Sequence, residues 1–455
     1  MSNCTNTCKV LATYVEKYLE KKRTINIFNL TYANTTVKEM YNTMSPELRS
    51  ELNDEIKSYK RCPDYQTLHE LLMGNKSGLL YYKSDIRYKL LKDMYIYDAS
   101  SYYPSVLLTN NQFPLGPLWR VPKENVNANT AWGLFHKGYW ISAHLVSEEP
   151  IVFTAKSLVP HKADNEDKEH RGLYGYYKDE LGYHYTVTPY DILLYRDFLH
   201  IDIFNDERFK LTGLAYCKVL GSINRHFAEF IANVYTQKEE AATASERDTY
   251  KSGLNFSIGK GAVRTLFNTK ETKLWYSNPE HYICPQFSLH VYALARYQTM
   301  KMAYEIGWDS IDALVVDSIK TRNPKVHEVV NNFNKIQVQK SSLLNVPDLG
   351  KWKPEHAKYF IQFGEGQYVL ETHDGKVKPV LVGCKRGKER ILKFTDVFKD
   401  DVLPATKELP SYGLWCNSDT GEHYTEERLT AKEEYEKCNG KTLSKGSGPR
   451  RIKKL

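Results

Sequence analysis

The chain has 455 residues, with 63 Lys and Arg against 55 Asp and Glu and a formal net charge of +8. That length supports a sizeable core and roughly two to four structural units, and the basic balance permits a polyanionic partner without demanding one. No apolar run of about 18 residues exists, which argues against a membrane-spanning helix, and MSNCTNTCKVLATYVEKYLEKK lacks the charged-then-apolar pattern of a signal peptide. The eight cysteines, at 4, 8, 62, 217, 284, 384, 416 and 438, are scattered without C-x2-C pairs. This spacing reads as reduced thiols in a cytoplasmic protein.

In chain order, 9–22 and 45–60 have amphipathic helical spacing. LLYYKSDIRYKLLKDMYIYDAS (79–100) reads as two strands ending near Asp98. The stretch 108–215 mixes strand-like runs (YWISAHLV, PIVFTA, YHYTVTPY) with loops. FAEFIANVY places Phe227, Phe230, Ile231 and Val234 on one helical face, and a second helix follows over 244–264. Another helix follows Pro285, then DALVVDSIKTR, a short apolar run reaching Asp317. Residues 350–400 are strand-rich, and the basic Gly/Ser/Pro tail 441–455 is expected to be disordered.

Asp98 and Asp317 each follow an apolar run. If their strands lie side by side, two hard oxygen donors emerge together and repel each other unless a divalent cation sits between them. Mg²⁺ suits such a pair, since it takes one or two carboxylates and completes its shell with water and phosphates. Two such ions about 4 Å apart serve in-line phosphoryl displacement. Taken singly, either acid is more simply read as an ordinary turn aspartate. Arg247, Lys251 and Asn255 fall at i, i+4 and i+8, a basic stripe about 12 Å long beside which a triphosphate could lie. Lys238 on the preceding helix could join it, although a solvated helix face gives the same pattern. Tyr103, before Pro104, could pack under a sugar and block a 2′-hydroxyl, or simply fill core.

These short words resemble the motifs of family B DNA polymerases. DASSYYPS (98–105) resembles motif A, KSGLNFSIG (251–259) motif B and VVDSIKT (315–321) motif C, in the order and at the intervals of the protein-primed branch of phage and linear-plasmid enzymes. LGKWKPEHAKYFIQFGEGQYVL (349–370) resembles the segment carrying a K-x-Y primer-strand motif, and NKSGLLYY (75–82) a degraded template-binding Y-x-G-G. The resemblance runs from about residue 70 to about 400. It implies metal ligation by Asp98, Asp317 and the carbonyl of Ala99, with two Mg²⁺ (or Mn²⁺) as cofactors. It implies a sugar gate at Tyr103 and triphosphate or base-pair contacts from Lys251, Asn255 and, less directly, Arg247 and Lys238. DNA contacts are implied at Ser318, Lys320, Tyr368, Lys76 and Gly78.

The implied fold is α+β, a right-hand polymerase. A reduced N-terminal helical segment (1–75) precedes a first palm segment (76–112), an insertion suited to terminal-protein docking (113–215) and helical fingers (216–265). A short insertion (266–283), a second palm segment (284–395), a thumb (396–440) and the basic tail (441–455) follow. The implied activity is template-directed addition of deoxynucleotides to a 3′-OH, with primer-template DNA, dNTPs, a terminal-protein primer and a separate exonuclease subunit as partners and no membrane. Departures are specific. The 97 residues before Asp98 are fewer than a proofreading exonuclease domain requires and carry no D-x-E, so none is expected. Val315 and Val316 stand where motif C usually has Asp and Thr, Phe256 and Ile258 alter motif B, and Gly366 occupies the K-x-Y lysine position. An alternative is therefore a catalytically weak polymerase-like subunit that binds nucleic acid through segments such as CKRGKER (384–390) and PRRIKK (449–454).

Overall fold

The computed structural model describes residues 79–381, apart from internal stretches of which 154–159, 163–176, 255–264 and 277–284 are the longest, together with four strands between 389 and 454. The expected helices at 9–22 and 45–60, and Lys76, Gly78, Asn255, Phe256, Ile258 and Gly366, lie outside the described residues.

Seven strands form an antiparallel sheet: β1 (Leu80–Tyr82), β2 (Leu91–Ala99), β3 (Ile311–Val315), β4 (Ser318–Thr321), β5 (Trp352–Gly364), β6 (Gln367–Thr372) and β7 (Val377–Leu381). Their spatial order is β1-β3-β4-β2-β5-β6-β7. The central strand β2 thus pairs on both flanks with segments more than 200 residues away in sequence. Its alternation serves two cores. Met94 and Ile96 pack with Ala357, Phe360, Tyr368 and Leu370 on one face, whereas Tyr97 and Ala99 join the larger core under the helices.

The helices around this sheet and its neighbouring unit are α1 (Tyr102–Thr109), α2 (Ala128–His136), α3 (Pro189–Leu199), α4 (Arg225–Glu239), α5 (Pro285–Ile306) and α6 (Val326–Ser342). Pro285 opens α5 at a position where its missing N–H costs nothing. Gly307, at φ 116°, ends it. The helix buries side chains all round, from Leu289, Val291 and Ala293 to Met300, Met302 and Ile306, as a central helix must. It packs on α1, α3 and α6. One of its buried residues is charged: Arg296 donates to Asp191 of α3 at 2.6 Å. The same aspartate closes the capping box at the start of α3, accepting from the Thr188 N–H at 3.0 Å.

The region 113–215 builds its own antiparallel sheet, in the order Trp119–Arg120, Lys210–Cys217, Trp140–Ser147, Gly182–Val187, Tyr177–Asp179. All eight residues of Trp140–Ser147 are buried, so this strand is covered on both faces. Helices α2 and α3 were not expected from the strand-like runs. The run YHYTVTPY is strand only to Val187, after which Thr188 and Pro189 cap and open α3. Arg450–Lys454, within the basic tail, pairs antiparallel with His423–Arg428. No helix among the described residues is long and apolar enough to cross a membrane.

Candidate active site

The expected meeting of Asp98 and Asp317 rests on strand pairing. Strands β3 and β4 form a hairpin with Val315 opposite Ser318, leaving Val316 and Asp317 as its two-residue loop. Strand β4 then pairs with β2 so that Ser318 lies opposite Asp98. The Ala99 N–H donates to the Asp317 carbonyl at 2.8 Å, which fixes the loop against the end of β2. Two more contacts hold Val316: its N–H donates to Leu79 O at 2.7 Å, and its carbonyl accepts from Thr299 Oγ1 of α5 at 3.3 Å. Val316 has φ 53°. A β-branched residue in the left-handed region is strained, at a cost of roughly 1–3 kcal/mol.

The charges at this edge are interdependent. Asp98 is exposed and Asp317 partly buried. Burial, then the Asp98 charge, push the Asp317 carboxyl up to about 6, against the opposing pull of its own backbone N–H, Lys251 and Lys320. Lys320, expected as a DNA contact, is enclosed, with 0 % exposure. Its ammonium donates to Ser318 Oγ at 2.8 Å and lies 4.4 Å from the Tyr368 ring centroid. Burial lowers its pKa, while Asp98, Asp317 and Glu355 oppose that shift. Ser318, Lys320 and Tyr368, expected separately as DNA contacts, therefore form one packed group next to the carboxylates.

The turn after Asp98 is fastened from two sides. Ser100 accepts at its carbonyl from the Gly350 N–H at 2.8 Å and donates its own N–H to Lys351 O at 3.0 Å. Gly350 has φ 77°, and a Cβ there would stand 2.5 Å from Ser105 Oγ and 2.6 Å from Gln337 Nε2, so only glycine fits. Helix α4 supplies the other side. Tyr235 and Lys238, one turn apart, reach Ser100 Oγ at 3.3 Å and Ser101 Oγ at 2.9 Å. Lys238 is 4 % exposed. It pairs with Glu239 at 2.7 Å and lies over the Tyr235 ring at 4.5 Å. Burial lowers its pKa, Glu239 resists, and Arg247 and Lys251 push it down further.

Arg247 and Lys251 are exposed and helical, and Arg247 approaches Glu239 at 3.8 Å. Tyr103 meets the Tyr292 ring edge-on at 5.0 Å. Burial, and then Tyr292, raise its pKa well above the usual tyrosine value, with a smaller contribution from Asp317. The described residues thus bring together Asp98, Ala99, Tyr103, Lys238, Arg247, Lys251, Asp317, Ser318, Lys320 and Tyr368. Sequence reasoning missed Ser101, Tyr235, Glu239 and Gly350. The i, i+3 spacing of Tyr235 and Lys238 was a legible signal for their shared face, but not for what they touch.

The donor set suits a hard divalent cation. Two carboxylates meet at a partly buried edge, and the proton affinity of one is raised by the other. A bound cation relieves that repulsion.

No protein-family model matches the chain, and no curated protein matches it. Among solved structures, phi29 DNA polymerase complexed with primer-template DNA matches at 15% identity and TM-score 0.51, over 77% of this chain and 57% of that one. The fold resembles that of phi29 DNA polymerase. Its ternary complex with incoming nucleotide substrates matches at 16% identity and TM-score 0.48, over 78% of this chain and 61% of that one. The family B DNA polymerase of the archaeon Pyrobaculum calidifontis matches at 12% identity and TM-score 0.28, over 67% and 29%. The chain thus spans less than two thirds of each of these polymerases, and at such identities the likeness to phi29 DNA polymerase is one of fold.

Proposed function

We propose that this chain is a template-directed DNA polymerase of the protein-primed family B type, adding deoxynucleotides to a 3′-OH. The single observation carrying this reading is the placement of Asp98 at the end of one strand beside Asp317 in the adjoining hairpin turn, close to Lys251, within a sheet whose overall fold resembles that of phi29 DNA polymerase. In this reading the seven-stranded sheet with α5 and α6 is the palm, α4 and the helical residues up to Leu254 belong to the fingers, and 113–215 is the docking region for a terminal protein.

Asp98 and Asp317, with the Ala99 carbonyl, would hold two Mg²⁺ ions, which would supply Lewis-acid activation of a 3′-oxygen and charge stabilisation of a leaving pyrophosphate. The protein's own part is positioning and charge. Exposed Lys251 and Arg247 attract and orient the triphosphate. Enclosed Lys238 acts through Ser101, holding the turn after Asp98. Lys320 offsets the negative charge of the two aspartates. Tyr103, braced by Tyr292, presents a rigid ring where a ribose 2′-hydroxyl would sit.

A second reading, a catalytically weak nucleic-acid-binding subunit, is favoured by Val315, an apolar residue paired with both Leu80 and Ser318 where the family usually carries a carboxylate. Primed-template extension in Mg²⁺ and in Mn²⁺ separates the two. The polymerase reading expects extension that Asp98→Ala abolishes, and ribonucleotide incorporation that rises roughly tenfold or more in Tyr103→Ala, because a steric exclusion is removed. Single-strand binding without extension in either metal selects the second reading. Covalent nucleotidylation of an added terminal protein tests the priming mode.

A further inference from the structure

At the far end of β2 from Asp98, a different set of side chains converges. Asp93 lies five residues before Asp98, about 17 Å along the strand. His356 sits on β5, opposite Tyr95. His373 follows β6. Because Ala357 pairs with Thr372, His356 and His373 occupy the next facing positions, and their ring centroids are 4.5 Å apart. One ligand-type atom from each of Asp93, His356 and His373 lies within 4.8 Å of the others. All three residues are exposed.

Two features show how this cluster is held. Asp93 has φ 54°, a conformation that aspartate tolerates better than most residues. It interrupts the in-out alternation of β2, so that Lys92 and Asp93 are both exposed in succession. The carboxylate is thereby placed among imidazoles rather than in the core. The His356 ring is backed by Tyr95, stacked at 4.8 Å and 27°. Tyr95 is in turn braced edge-on by His327 of α6 at 4.5 Å. His327 is itself bonded through Nδ1 to Tyr97 Oη at 2.7 Å.

We propose that Asp93, His356 and His373 form a second metal site, separate from the Asp98–Asp317 pair, that takes a zinc-class divalent ion. Two imidazoles and one carboxylate are a borderline-soft donor set. They suit Zn²⁺, Co²⁺ or Ni²⁺ rather than Mg²⁺, which demands oxygen ligands. Tetrahedral ligands about 2.0–2.1 Å from a metal stand about 3.4 Å from one another. A solvent molecule would take the fourth position, as at other three-ligand sites. The ion would tie together β2, β5 and the β6–β7 turn, bracing the end of the sheet opposite the carboxylate pair.

The test is calorimetric titration of Zn²⁺ into chelator-stripped full-length protein in excess Mg²⁺, repeated with Co²⁺ and followed by visible absorption. The wild-type protein is expected to bind one ion with an imidazole- and carboxylate-type tetrahedral Co²⁺ spectrum. Asp93→Asn and His373→Ala, both at exposed positions, should weaken binding at least tenfold, whereas Asp317→Ala should leave it unchanged. No uptake by the wild-type protein would overturn the proposal. So would equal affinity in Asp93→Asn and His373→Ala, or an intense thiolate-to-cobalt charge-transfer band, which would place the ion on cysteine.

Discussion

Asp317 carries opposed demands of function and stability. Its carboxyl has an ordinary value of 3.8 and is raised to about 6 in the folded chain, first by burial and then by Asp98. Between those pH values the folded chain binds more protons than the unfolded one, so stability falls as pH rises. The penalty is small below about pH 4 and fully present above about pH 6, where it amounts to roughly 2–3 kcal/mol. Asp317→Asn removes the charge and keeps the shape. In chelator at pH 8 the variant should melt a few degrees above the wild-type protein, and at pH 4 the gap should nearly vanish. Under the proposed polymerase function, extension should fall by about 10³-fold or more in this variant, because the cation would lose an anionic ligand. An equal melting difference at both pH values would show that the aspartate is not strained by charge.

The hairpin between β3 and β4 is the element that aims Asp317, and it does so through an unfavourable backbone. Val316 holds φ 53° because three contacts over-determine it: Leu79 O, Thr299 Oγ1 and the neighbouring Ala99–Asp317 hydrogen bond. Glycine is ordinarily less stabilising than alanine in such segments, since it loses more freedom on folding. Here the order should invert. Val316→Gly is expected to be about 1 kcal/mol more stable than Val316→Ala in urea denaturation, because only glycine adopts this φ without strain. If the alanine variant proves the more stable, the left-handed turn is not the native one. The turn after Asp98 is built differently. Ser101 also has positive φ, at 50°, but its hydroxyl accepts from Lys238, so helix α4 shares in holding the strained residue.

Across the whole molecule, α5 joins the seven-stranded sheet to the 113–215 unit. The Arg296–Asp191 pair, buried on both sides, is the charged element of that junction. Arg296→Met leaves a buried carboxylate unpaired and should cost about 3–5 kcal/mol in chemical denaturation. Arg296→Met combined with Asp191→Asn should recover part of the loss, since the lone charge is gone while the side-chain oxygen that caps Thr188 remains. A small loss in the single variant would mean that the junction does not depend on this ion pair. At the same scale, if the chain is the DNA polymerase proposed above, its affinity for DNA should fall steeply with salt, because phosphate contacts from exposed residues such as Arg247 and Lys251 would release counterions.

Much of this was legible in the chain. Apolar runs ending at Asp98 and Asp317 marked two strands, the Phe227–Val234 spacing marked α4, and the words around 98–105 and 315–321 named a polymerase-like pairing of acids. Those signals are local, set by side-chain periodicity and turn chemistry within a dozen residues. Three things were not legible. Lys320 reads as a surface base in any window of sequence and is enclosed only because β2, β5 and β6 converge on it from far along the chain. The helix α3 was obscured by the aromatic, β-branched run YHYTVTPY, which suggests strand on both sides of Thr188. The cluster of Asp93, His356 and His373 has no sequence pattern at all, since it exists only through the register of three strands. Sequence by itself determined which residue types stand at strand ends and helix faces. The tertiary structure alone decided which of them meet, because non-local strand pairing, and the burial that follows from it, set both the distances between charges and their proton affinities.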